Sequence, residues 1–146
     1  MATDPRLSSL LRDFTDKVPH VESALVATRD GLQLASAGLD IDDADRLAAV
    51  ITGEYATARS VNEIRPLGGV RQVVVEFDDG FLFIMHAGNH AAGDANSRTL
   101  STLLGVTATV SADAGLVGAE MAHLIGSLAN HLTTGSRQAV PVGGGR

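Results

Sequence analysis

Two tight-turn signals constrain this chain more than any other feature of it. In "LVATRDGLQLAS", residues 25–36, a mostly apolar run enters Arg29-Asp30-Gly31 and a second, alternating run leaves it. In "VRQVVVEFDDGFLFIMHAG", residues 70–88, apolar runs flank Asp79-Gly80 in the same way. Asp-Gly between alternating apolar segments is a strong short-range hairpin signal, because glycine adopts the positive φ that tight turns demand. Hairpins pair their strands antiparallel, which points to an α+β sheet rather than a parallel one. In the first hairpin Leu32 and Leu34 alternate with Gln33 and Ala35. In the second, Val73, Val75 and Phe77 share one face and Val74 takes the other, while Phe81, Phe83 and Met85 oppose Leu82 and Ile84. Strands apolar on both faces predict a sheet covered on both sides.

Helical periodicity supplies the covering layers. Leu7, Leu10, Leu11 and Phe14 recur at helical spacing, and Pro19 closes that segment. Residues 40–64 read as a second helix, with Asp42 and Asp43 at its positively polarised start. Leu47, Val50, Ile51, Tyr55, Ala58 and Val61 follow a three-or-four step along it, and Pro66, Gly68 and Gly69 end it. Gly53, which costs about 1 kcal/mol against Ala in a helix, predicts a close packing contact there. A polar stretch at residues 89–98 precedes a fifth strand expected at about residues 104–110. The last helix is expected over about residues 113–132. On a helical projection Val117, Met121, Leu124, Ile125, Leu128 and Leu132 form one arc. Gly115, Gly118, Ala119, Ala122, Gly126 and Ala129 form the arc beside it, as expected of a helix laid close on a sheet. From Gly135 the Gly-rich end reads as a mobile tail. The predicted organisation is an N-terminal tail over 1–6, one domain over 7–133 and a C-terminal tail over 134–146, in the order α-β-β-α-β-β-β-α.

The composition removes whole classes of function. The net charge of −6 and the absence of a basic cluster give no footprint for a phosphate backbone, and 3% aromatics leave few platforms for stacked bases. With no cysteine there are no disulfides, thiolate zinc sites or cysteine nucleophiles. The N-terminus lacks the pattern of a signal peptide, and no apolar run reaches the roughly 18 residues of a membrane span, so the expected location is the cytoplasm. Gly68-Gly69 is followed by Val70-Arg71, not by the Lys-Ser/Thr of a phosphate loop. His20, His86, His90, His123 and His131 are scattered and read as solvated surface residues rather than metal ligands. The acidic groups Asp40/Asp42/Asp43/Asp45 and Glu76/Asp78/Asp79 lack calcium-loop spacing and read as helix-start charge and turn solvation. No serine stands in Gly-x-Ser-x-Gly. No catalytic residue, metal site or cofactor is predicted.

The succession "VPHVESALVATRDGLQLAS", "DDADRLAAVITGEYATAR", "GGVRQVVVEFDDGFLFIM" and "DAGLVGAEMAHLI" resembles the roadblock (dynein light chain type) family. It is most similar to actinobacterial members encoded in operons beside a sensor-kinase-like protein, a small helical regulator and a Ras-like GTPase. The likeness extends over residues 7–132 and includes Val18-Pro19 before the first strand and Asp113-x-Gly115-Leu116-Val117 at the last helix. The resemblance implies the roadblock/profilin-like fold, a five-stranded antiparallel sheet between helix layers. It also implies a homodimer joined through the second helix and third strand, here Leu47, Val50, Tyr55, Val70, Gln72, Val74 and Glu76. A paired second-helix surface would engage a Ras-like small GTPase and modulate its nucleotide cycle, with Arg46, Glu54, Arg59 and Asn62 as the partner-binding positions. The operon's sensor-kinase-like protein is a further expected partner. Membrane contact is expected only through partners, and no nucleic acid is expected. Two other readings stand beside this one: a small-ligand sensor or scaffold domain, motivated by the apolar second face of the strands, and a stand-alone hydrolase.

Overall fold

The computed structural model describes the backbone of residues 4–90 and 100–139 and the side chains of residues 4–88 and 101–130. Along the chain run α1 (Pro5–Lys17), β1 (Val21–Thr28), β2 (Gln33–Ala37), α2 (Ile41–Arg59), a 3-10 turn (Ser60–Glu63), β3 (Gln72–Phe77), β4 (Gly80–His90), β5 (Leu100–Thr109) and α3 (Ala114–Ala139). The sheet is five-stranded in the order β2-β1-β5-β4-β3, and every neighbouring pair is antiparallel. The expected α-β-β-α-β-β-β-α order and fold class hold.

Each helix begins where a side chain satisfies the free N–H groups of its first turn. Asp4 accepts from the N–H groups of Arg6 and Leu7, with Pro5 in the first turn, so α1 starts at Pro5 rather than Leu7. Asp40 accepts from the Asp43 N–H (2.8 Å), and Asp113 from the Leu116 N–H (3.1 Å). The turn between α1 and β1 is closed by the Val21 N–H on the Val18 carbonyl, with His20 at φ 71° in the position after Pro19. That is the left-handed region a type II turn requires at its third residue.

The two hairpins use glycine for different reasons. In the first, Gly31 has φ 94° and its N–H donates to the Thr28 carbonyl, while Thr28 N–H donates to Leu32. In the second, Phe77 pairs directly with Gly80 and the glycine has an ordinary φ. A Cβ at Gly80 would lie 2.5 Å from the Ala108 carbonyl oxygen of β5. Close approach of a neighbouring strand, not turn conformation, calls for glycine there.

Both faces of the sheet are covered. Leu7, Leu11 and Phe14 of α1 and Val117, Met121, Leu124 and Leu128 of α3 pack on one face against Ala24, Val26, Phe83, Leu104 and Val106. Ala44, Ala48, Ile51 and Tyr55 of α2 pack on the other against Leu25, Leu82, Ile84 and Leu103. The register explains the alternation seen in the second hairpin. Val74 lies opposite Phe83 and shares its face, while Val73 and Val75 lie opposite Ile84 and Leu82 on the α2 side.

Several local expectations change. β4 runs on to His90, taking in the start of the stretch expected as a polar loop, and β5 begins at Leu100 rather than about 104. Pairing of Asn89 with Ser101 and His90 with Leu100 carries both strands outward beyond their apolar portions. α3 extends to Ala139, past the expected end at residue 132 and into residues expected as tail; residues 140–146 lie outside the described residues. Most of the small-residue arc of α3 does not bed on the sheet; Gly118 does approach it, where a Cβ would lie 3.8 Å from Met85 Cε of β4. Ala119, Ala122 and Gly126 are exposed, and a Cβ at Gly126 would meet nothing within 4 Å. The large-residue arc makes the contact instead.

Candidate functional site

The most distinctive surface joins the exposed side of α2 to the free edge of β3. Along α2 only Ala44, Ala48, Ile51 and Tyr55 are fully buried, while Leu47 and Ala58 are half-buried. The apolar stripe read from the sequence is therefore wider than the stripe the chain itself covers. Val50 (48% exposed) and Val61 (43%) are left in solvent, with Arg46, Gly53, Glu54 and Thr57 beside or between them. Among the described residues nothing lies within 4 Å of a Cβ built at Gly53, so they do not supply the close contact expected there.

β3 is an edge strand, and its exposed side chains include Val74 (44%) and Phe77 (55%). Its outward hydrogen-bonding groups follow from the register. The His86 N–H donates to the Arg71 carbonyl (3.4 Å), and Phe77 and Gly80 close a two-residue hairpin. In an antiparallel ladder alternate residues turn their N–H and C=O toward the same neighbour. Residues 71, 73, 75 and 77 therefore face β4, and Gln72, Val74 and Glu76 face away from the sheet. The opposite edge, β2, is flanked by the start of α1, where the Asp4 N–H donates to the Leu34 carbonyl.

Between α2 and β3 the chain presents two large apolar side chains, Ile64 (81%) and Leu67 (73%). The segment that carries them is held by one residue. Asn62 Oδ1 accepts from the N–H groups of Leu67 (2.6 Å) and Gly68 (2.9 Å). Its Nδ2 donates to the carbonyls of Arg59 (3.1 Å) and Gly68 (2.9 Å). Gly68, at φ 94°, supplies the left-handed turn this closure needs. Beyond the other end of β3 lies an open groove of about 390 Å³, lined by Leu47, Val50, Phe77, Gly80 and Leu82, with Glu22 and Asp79 among its acidic residues.

The predicted site residues are distributed as follows. Arg46, Glu54 and Arg59 are exposed on α2; Asn62 is half-buried, with its side-chain amide committed to the loop. Val50, Gln72, Val74 and Glu76 are exposed, and Leu47 and Val70 are half-buried. Tyr55 is 5% exposed and belongs to the α2 core. Its hydroxyl donates to the Val70 carbonyl (3.4 Å), and the Arg29 guanidinium lies 5.6 Å from its ring centroid. Sequence reasoning missed the Asn62 loop, although Asn followed by Pro66, Gly68 and Gly69 is the local signature of a side-chain-closed turn.

His86 also departs from expectation. It is half-buried, stacked on Tyr55 with ring centroids 6.1 Å apart, and its Nε2 lies 2.9 Å from Ser101 Oγ. Gly88 N–H donates to its Nδ1 (3.3 Å), which leaves Nε2 as the donor of a neutral ring. His20 and His123 are exposed; the side chains of His90 and His131 lie outside the described residues. Among the described residues no three His, Asp or Glu side chains gather as a metal site, and no helix is long and apolar enough to cross a membrane. A second groove, about 190 Å³, runs between α1 and α3 past Leu10, Asp13, Phe14, His123 and Ser127, beside a Lys17–Glu120 ion pair of 3.7 Å.

Comparison with known proteins places this surface in context. The Roadblock/LC7 domain model matches residues 7–92. A Roadblock/LC7 domain from Streptomyces avermitilis is 38% identical, with 86% of this chain and 96% of that one covered and a TM-score of 0.73. MglB in a tetrameric arrangement (17% identity, 90% of each chain, TM-score 0.72) and Myxococcus xanthus MglB (15% identity, 88% and 96% covered, TM-score 0.70) share the fold. No curated protein sequence matches. The matched domain spans α1 to β4, and the S. avermitilis likeness covers most of the chain at substantial identity; the chain belongs to the Roadblock/LC7 family.

Proposed function

We propose that this chain is a non-catalytic regulator that dimerises through α2 and β3 and binds a Ras-like small GTPase in a signalling complex. The observation that carries this reading is the β3 edge, unpaired among the described residues and adjoining the side of α2 and of the following 3-10 turn that leaves Val50 and Val61 in solvent. An exposed apolar edge is an aggregation hazard unless something covers it. A second copy does so economically, because a strand edge pairs with itself about a two-fold axis and prolongs the sheet. Stable interfaces of this kind bury about 1,200–2,000 Å².

Family membership supports the GTPase as the further partner. Arg46, Glu54 and Arg59, exposed on α2, are the positions offered to it. Such a surface acts by stabilising one arrangement of the GTPase's switch segments, a shift of population rather than donated chemistry. Asn62 contributes through the loop it holds. The small-ligand reading draws less support: the α1–α3 groove is below the roughly 300–1,000 Å³ of typical ligand pockets, and the larger groove, about 390 Å³, is open and adjoins the β3 end assigned here to the dimer.

Calorimetry with a Ras-like small GTPase from the same organism, loaded with GDP or a GTP analogue, tests the proposal. Binding should favour one nucleotide state, and Arg46→Glu with Arg59→Glu should weaken it by about tenfold, or about 1.4 kcal/mol. Absence of binding in both states would refute it.

A further inference from the structure

The segment between α2 and β3 joins the two most exposed large apolar side chains among the described residues, Ile64 (81%) and Leu67 (73%), to a local excess of positive charge. Arg59, Arg65 and Arg71 are all exposed, and Glu63 is the one acidic residue between positions 59 and 71. The chain as a whole carries −6, so this stretch is a basic island on an acidic molecule. Exposed charges more than about 8–10 Å away are largely screened at physiological ionic strength, so a partner at the loop meets the arginines rather than the net charge.

The backbone donors of the same loop are already used. The N–H groups of Ile64 and Arg65 both donate to the Val61 carbonyl (2.9 Å each). Those of Leu67 and Gly68 donate to Asn62 Oδ1 (2.6 and 2.9 Å). Pro66 has no N–H to satisfy. From residue 64 to residue 68 every backbone donor is therefore met from within, although the side chains stand in water. An exposed loop does not require this, because water can satisfy its donors. Hydrocarbon does require it, since a polar group left unmet there costs free energy. A protein partner could offer carbonyls of its own; an acyl chain cannot.

We infer that the Asn62-held loop docks on an anionic phospholipid surface, with Ile64 and Leu67 entering between the headgroups and Arg59, Arg65 and Arg71 lying among the phosphates. Apolar area buried at the headgroup boundary and attraction of cations to anionic lipid add together in peripheral binding. The loop is ordered in advance, so docking loses little further chain entropy. Membrane contact, expected from the sequence only through partners, is then direct. Neither the dimer nor the GTPase is needed for this contact.

Co-sedimentation of the full chain with vesicles tests the inference. The chain should pellet with vesicles of phosphatidylglycerol and phosphatidylcholine in equal parts, less so as salt is raised, and not with phosphatidylcholine alone. Arg65→Glu with Arg71→Glu should weaken binding at least about tenfold, because both reversed charges lie near the anionic surface. Ile64→Asp with Leu67→Asp should abolish it. All four side chains are exposed, so circular dichroism of both double variants should match the parent. Asn62→Ala keeps every apolar and charged side chain of the loop but frees the Leu67 and Gly68 N–H groups, and it should also weaken binding. The native chain has no tryptophan, so Leu67→Trp supplies a single indole, whose emission should shift to the blue on anionic vesicles and be quenched by brominated acyl chains. A parent chain that stays in the supernatant with anionic vesicles would overturn the inference, as would binding that survives Ile64→Asp with Leu67→Asp. An indole that is not quenched in the bound chain would overturn the entry of the apolar pair. A parent dimer that becomes monomeric on Ile64→Asp with Leu67→Asp, read by sedimentation equilibrium, would assign the loop to a second copy and equally overturn the lipid contact.

Discussion

Asn62 shows how one side chain can order a surface segment. It accepts from two backbone N–H groups and donates to two carbonyls, using both ends of its amide. Aspartate could accept but not donate, and alanine could do neither. Asn62→Ala should therefore destabilise the fold by about 1 kcal/mol, the net worth of a partly exposed hydrogen-bonded group. Amide exchange at Leu67 and Gly68 should quicken far more than exchange in β4 or β5. Uniform loss of protection across the chain would show instead that Asn62 supports the whole domain. Gly31 and Gly80 make a related point. Both follow an aspartate in a hairpin, yet one answers to φ and the other to the carbonyl of Ala108. The dipeptide announces the turn; which constraint selects the glycine depends on what lies across the sheet.

At the scale of elements, α2 is seated through Ile51 on Gly105 of β5. A Cβ at Gly105 would stand 2.9 and 3.0 Å from Ile51 Cγ2 and Cδ1, and both residues are fully buried. Gly105→Ala should cost about 1–3 kcal/mol as an overpacked contact, read as a lower urea midpoint. Ile51→Val, which removes Cδ1, should recover part of the loss in the double variant. An unchanged midpoint for Gly105→Ala would mean that α2 is not held to the sheet there. Element identities were legible in advance because their causes are local: alternation for strands, a three-or-four step for helices, Asp-Gly for turns. The ends of β4, β5 and α3 were not. Asn89 and His90 are poor strand formers, kept in register by pairing with residues 100–101. Polar residues past the apolar arc of α3 simply continue its hydrogen-bonded helix.

At the scale of the whole molecule, the described residues leave the β3 edge and one side of α2 uncovered, and these adjoin. In the proposed dimer folding and association are linked, because a second copy that binds only folded chain stabilises it by mass action. The melting temperature should rise by a few degrees over a hundredfold increase in protein concentration, since about 2.7 kcal/mol per dimer, or about 1.4 kcal/mol per chain, accompanies that change and about 1 kcal/mol moves the midpoint of a chain this size by roughly 2–4 °C. Val74→Asp, at the exposed edge of β3, should flatten the dependence. A concentration-independent midpoint in the parent chain would count against a folded dimer.

Arg46, Glu54, Arg59, Val50 and Val74 could be placed on α2 and β3 from sequence alone, because helical spacing and strand parity say which residues share a face. Whether a face is covered could not be read this way. Val50 and Ile51 are neighbours in one apolar stripe, yet Ile51 is buried by β5 and Val50 is in solvent. His86 looks like any polar strand residue until Tyr55 and Ser101 are brought to it. The sequence by itself determined the elements, their order and the turns between them, all set by interactions a few residues long. Only the tertiary structure decided that β3 is the open edge, that α2 has an uncovered side, and that the larger groove and the Asn62-held loop lie at opposite ends of one strand. Strand order and burial arise from pairings between distant residues, and no local pattern encodes which partner will be absent.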